Sequence, residues 1–70
     1  MRKIIINNKD LQAFKKLSTK YANPPFHHVT AYGTTQKIIT VDKRLVGHSK
    51  KEINDFINFI DENILGVIKL

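Results

Sequence analysis

The sequence predicts an α+β fold: a small two-layer domain with two helices on one face of a mostly antiparallel sheet of three to four strands. Three observations predict it. Ser49 and Glu52 make a capping box, and behind them Ile53, Phe56, Ile57, Ile60 and Ile64 recur at the spacing of one helical face. Leu11, Phe14, Leu17 and Tyr21 give a shorter stripe of the same period. Between and before these lie β-branched or alternating runs, Arg2 to Asn7, His28 to Tyr32 and Gln36 to Val41, that suit strands.

Taken in order, Arg2 to Asn7 has three consecutive isoleucines. That predicts a strand covered on both faces, or one whose second face meets a partner. Asn7 and Asn8 are helix N-cap residues, and Asp10 then falls in the first turn, where its charge suits the helix dipole. Lys9, Lys15, Lys16 and Lys20 line the other sides of this first helix. It stops before Asn23-Pro24-Pro25, because residues ahead of proline are pushed out of the helical region. Phe26 anchors the loop that follows. In the next strand Val29 and Ala31 share one face, and His28, Thr30 and Tyr32 the other. Gly33-Thr34-Thr35 turns the chain into Gln36 to Val41, closing a hairpin. Arg44 to Gly47 reads as a short edge strand leading into the capped helix, which ends near Asn63 with Gly66 as cap or break. Val67 to Leu70 either adds a last strand or extends the helix. The element order is therefore β-α-β-β-α-β, the split βαβ arrangement of ferredoxin-like folds, or β-α-β-β-β-α.

Seventy residues, 1–70, make one domain. There is no cysteine, so neither a disulfide framework nor a thiolate metal site is available. No apolar run approaches the ~20 residues of a membrane span, and no signal-peptide core opens the sequence, which predicts a cytoplasmic protein. Twelve Lys and Arg against six Asp and Glu leave a net charge of +6. Such an excess favours polyanionic partners. Most of the cations are Lys, which meet phosphate as point charges and do not form the bidentate forks of Arg.

The candidate nucleic-acid-binding residues are Lys43, Arg44, Lys50 and Lys51 around His48, with Lys37 on the preceding strand. The start of the second helix adds free N–H groups and the positive end of its dipole, although Glu52 competes for those donors. Phe26, Tyr32 and Phe59 are candidates for a protein-docking patch: exposed together they favour a protein partner, buried they favour nucleic acid. Neither a metal nor a cofactor is implied. His27 and His28 are adjacent, so strand alternation sends them to opposite faces, and His48 has no carboxylate at a ligand spacing. The glycines are isolated, so no phosphate-cradling loop forms. Arg2 to Asn7 and Gln36 to Val41 carry no aromatic residue to stack on RNA bases.

His27-His28-Val29, the hairpin, Ile39-Thr40-Val41 and the helix that follows, up to Ile60, resemble the HicA mRNA-interferase toxins. Those are small basic domains with a double-stranded-RNA-binding-like fold and a catalytic histidine at the start of a hairpin strand. The resemblance implies a ribonuclease with His28 as its general acid or base. The Gly-Ser that precedes the family's histidine is Pro25-Phe26 here, and Arg2 to Asn7 adds a strand ahead of the first helix. The enzyme accordingly stands as an alternative. The leading expectation is a non-enzymatic protein that binds DNA or RNA through a Lys-rich face without strong sequence specificity. The rival is an inhibitor or adaptor of phage or mobile-element type, docking on an acidic or nucleic-acid-binding host protein. The oligomeric state is left open, a homodimer included.

Overall fold

The computed structural model describes residues 2–20, 26–41 and 49–70. Its elements follow the first of the two expected orders. β1 (Arg2–Asn7) leads through a 3-10 turn (Asn8–Asp10) into α1 (Leu11–Ser18), then come β2 (Phe26–Tyr32), β3 (Gln36–Val41), α2 (Lys50–Asn63) and β4 (Ile68–Lys69). The strands form one sheet in the order β2-β3-β1-β4, every neighbouring pair antiparallel. β1 and β2 thus run the same way with β3 between them, which is the split βαβ arrangement. The strand expected at Arg44 to Gly47 lies outside the described residues. No described helix is long and apolar enough to cross a membrane.

Register decides which side chains meet the helices. Ile4 and Ile6 stand opposite Ile39 and Lys37, and Arg2 stands opposite Val41. Ile4, Ile6, Ile39 and Val41 pack with Phe14 of α1 and with Ile53, Phe56, Ile57 and Ile60 of α2 in one buried cluster. Both helices therefore cover the same sheet face. Phe14 and Phe56 meet edge to face at 6.1 Å, and Phe26 adds its ring 4.9 Å from Phe14. At about 1.5–3 kcal/mol for each fully buried large apolar side chain, this cluster is the dominant stabilising term.

Ile5 points to the other, uncovered face, yet is only 4% exposed. Ile38 of β3 and Ile68 of β4 sit opposite it on either side, and no described helix lies on that face.

Two local expectations are corrected. The first concerns Asn7 and Asn8, expected as helix caps: neither side chain caps the helix. Asn8 instead donates from Nδ2 to the carbonyl of Thr34 at 3.1 Å, and its backbone N–H donates to the Thr35 carbonyl at 2.8 Å. A tertiary bond to the β2–β3 turn, where Gly33 adopts φ +67°, holds the start of α1. The second concerns the histidines. Phe26 lies opposite Val41 and His28 opposite Thr40, so two steps along β2 match one along β3, a bulge that breaks the alternation. The His27 and His28 rings come together edge to face, centroids 4.6 Å apart.

α2 matches its expectation closely. Ser49 Oγ accepts from the Glu52 N–H at 3.2 Å, and the Glu52 carboxylate accepts from the Ser49 N–H at 3.3 Å. Gly66, at φ +84°, reverses the chain after α2. The residues beyond it add a strand on β1, and Leu70 donates its N–H to the carbonyl of Lys3 at 2.9 Å. Arg2 donates to the Asn54 side chain at 2.7 Å and Lys69 pairs with Asp61 at 3.3 Å, so both ends of the described chain are tied to α2.

Candidate nucleic-acid interface

Charge is distributed unevenly over this frame. α2 carries Glu52, Asp55, Asp61 and Glu62 against Lys50 and Lys51, a net −2. Residues 2–41 carry Arg2, Lys3, Lys9, Lys15, Lys16, Lys20 and Lys37 against Asp10 alone, a net +6. The positive field belongs to α1 and the strands.

α1 builds the densest part of it. Leu11, Phe14 and Leu17 turn to the core, which leaves Lys15 and Lys16 exposed on the outer face. Ser18 is buried mid-stripe and satisfies its hydroxyl by donating to the Phe14 carbonyl at 2.8 Å. Lys15 and Lys16 border one shallow depression with Gln12, Ala13 and Thr19. Lys16 and Lys20 border the next, with Leu17 and Asn63. Lys20 also lies over the Phe59 ring, its Nζ 5.6 Å from the centroid, a cation–π contact that orients the ammonium group.

Of the nucleic-acid candidates singled out from the sequence, Lys37, Lys50 and Lys51 lie among the described residues. Lys50 and Lys51 stand exposed on the first turn of α2. Lys51 is engaged with Asp55 at 2.7 Å, and that hydrogen bond with its Coulombic attraction raises the ammonium above its ordinary value of 10.5. The box also ties the Glu52 carboxylate to the N-terminus of this helix, where a phosphate would have to bind. Lys37 is half-buried at the other end of β3, opposite Ile6 and Ala31 on the face the helices cover. Arg2, opposite Val41 and bonded to Asn54, sets the α2 start over the far end of that strand. Lys37 and Lys50 therefore do not share a surface. Lys43, Arg44 and His48 lie outside the described residues.

Phe26, Tyr32 and Phe59 are not one patch either. Phe26 and Phe59 are partly buried against the core, and Phe26 stacks on Phe56 at 6.3 Å. Tyr32 is 50% exposed in a register position on the uncovered sheet face. His28 lies on that same face, exposed, with Thr40 beside it on β3 and Lys3 beyond on β1. Among the described residues no three His, Cys, Asp or Glu side chains stand close enough to hold a metal ion.

The α1 cluster was visible in the sequence as a run of lysines. Comparison with family models, with curated proteins and with solved structures found no match to the chain.

Proposed function

We propose that the protein binds nucleic acid without catalysis, by phosphate contacts from Lys15 and Lys16 of α1 and Lys20 just beyond it, and without reading bases. The observation that carries this reading is the segregation of charge: +6 over residues 2–41 against −2 on α2. A polyanion approaching the molecule is drawn to α1 and the strands and turned away from α2. Lys15 and Lys16 of α1 and Lys20 just beyond its end are all exposed and lie within six consecutive positions, so three cations stand close together. Lysine positions a backbone and leaves the bases unread, so affinity should vary little between sequences.

The test is a fluorescence-anisotropy titration at several salt concentrations, on two unrelated duplexes and one single strand. Changing Lys15, Lys16 and Lys20 together to Ala should make the slope of log affinity against log salt shallower by up to ~2.7 on duplex DNA, at ~0.9 per contact. Changing Lys43, Arg44, Lys50 and Lys51 to Ala measures that second set of cations separately, with a ceiling of ~3.6. Undetectable binding at low salt on every ligand would sink the proposal and leave docking on a protein as the reading to pursue. The ribonuclease alternative has its own control. It requires RNA cleavage that His28→Ala abolishes with the fold intact, and the expected result is no cleavage by the wild type.

A further inference from the structure

We propose that the groove where α1 meets the end of α2 takes an unpaired base, so that the preferred ligand is a single strand. The inference rests on the nucleic-acid reading above and adds to it the state of the strand.

The groove is a depression of about 540 Å³ lined by Ala13, Lys16, Leu17, Thr19, Lys20 and Asn63. That volume falls within the ~300–1,000 Å³ of small-ligand sites. Leu17, half-buried against the core, and the Ala13 methyl give it an apolar side. The lining also holds two ammonium groups and no carboxylate. Lys20 stands over the Phe59 ring, which sets its ammonium on the α2 side of the groove. A second depression adjoins the first and shares Ala13, Lys16 and Thr19 with it, adding Gln12 and Lys15. Ala13 is exposed where the two meet, so a longer side chain there would intrude on both.

Each depression thus sets two ammonium groups beside small or apolar surface. A polynucleotide offers the complement in every unit, a phosphate joined through its sugar to a flat ring. In a duplex the ring faces are stacked on one another, and only ring edges are open in the grooves. In a single strand a ring can turn out and lie against apolar surface while its phosphate meets a cation. An acidic peptide matches the charge, but need not set an apolar group beside each carboxylate. The polar groups of the lining also bear on what is recognised. The Thr19 hydroxyl donates to the Lys16 carbonyl at 2.6 Å, and Asn63 donates from Nδ2 to the Phe59 carbonyl at 2.8 Å. With these donors turned to their own backbone, the groove holds a ring by contact and leaves its edge unread. Such binding tolerates any base.

The test compares three ligands of one length by fluorescence anisotropy at a fixed low salt concentration. They are a DNA single strand, its duplex, and a strand with abasic sites throughout, which keeps the phosphates and lacks the rings. The wild type should bind the normal strand about tenfold more tightly than the abasic one, the worth of one base held on a side chain. Ala13→Leu fills the groove, keeps every charge and suits a helix. It should weaken the normal strand about tenfold and leave the abasic strand and the duplex nearly unchanged. Circular dichroism checks that the variant folds, and the wild-type comparison stands without it. Equal wild-type affinity for normal and abasic strands overturns the groove proposal and leaves phosphate binding intact. An equal loss on all three ligands in Ala13→Leu does the same. No binding to any of the three overturns both readings, and an acidic, leucine-rich peptide that binds instead would assign the groove to a protein partner.

Discussion

α1 runs eight residues behind a 3-10 turn with no side-chain cap, and α2 runs fourteen behind a closed capping box. α1 presents lysines and α2 presents four carboxylates, although both press the same sheet face. Their two starts show that a good cap residue does not choose its partner. Ser49 finds its acceptor role within its own first turn, three residues on. Asn8 has equal capping ability but spends its side chain on Thr34, some 26 positions away. One helix is specified locally, and the other by where the hairpin turn happens to lie.

The largest expected effect lies where the two helices are alike. Phe14 and Phe56 are both fully buried, and either change to Ala should cost about 3–5 kcal/mol. A chain of this size has roughly 3.5–10 kcal/mol in total, so either change should remove a large fraction of its stability. Urea melts would show it. If Phe14→Ala were much milder than Phe56→Ala, α1 would be a satellite of the core and not a partner in it.

The caps should separate them. Ser49→Ala should lower stability by about 1 kcal/mol, read as a shift of the urea midpoint. Asn8→Ala should cost about 0.5–1 kcal/mol, the worth of one exposed hydrogen bond. The site of the damage differs more than its size. Amide exchange should quicken at the first turn of α2 in the Ser49 variant, and at Thr34 and Thr35 in the Asn8 variant. Unchanged exchange at Thr34 and Thr35 would show that the Asn8 side chain does not hold the turn.

The smallest effect belongs to Lys51. Its folded-state ammonium is raised above 10.5 by Asp55, so the pair's contribution is complete below that pH and fades as pH climbs past the raised value. The group is fully exposed, and water screens what the pair gains. Lys51→Ala should leave the urea midpoint at pH 7 unresolved from wild type. A clear loss would mean that Lys51 bears on more than Asp55.

What could be read beforehand follows the same division between local and distant causes. The capping box, the α2 stripe and the faces of Val29, Ala31, Thr30 and Tyr32 depend on residues a few positions apart, and each was legible. The bulge beside His27 was not, since β2 alone shows unbroken alternation and only its match to β3 uncovers the extra residue. Val67 to Leu70 admitted a strand or more helix because the deciding partner, β1, lies at the other end of the sequence. Lys37 looked like a surface cation until the register set it opposite Ile6. Among the site residues, type was readable and grouping was not. Of the proposed cluster, Lys50 and Lys51 lie together, Lys37 lies apart, and Lys43, Arg44 and His48 fall outside the described residues.

The pairing of Ile4 with Lys69 also has a consequence for the order in which the molecule can be made. The two positions are about 65 apart, and a ribosome adding 5–20 residues per second needs roughly 3–13 s to supply the second after the first. For that interval the nascent Ile4-Ile5-Ile6 segment has no β4 neighbour, and for about the first half of it no β3 neighbour either. This apolar segment is thus made ahead of both strands that flank it in the sheet. Its safety during translation depends on the ribosome's own surface and on chaperones, because the sheet that later protects it does not yet exist.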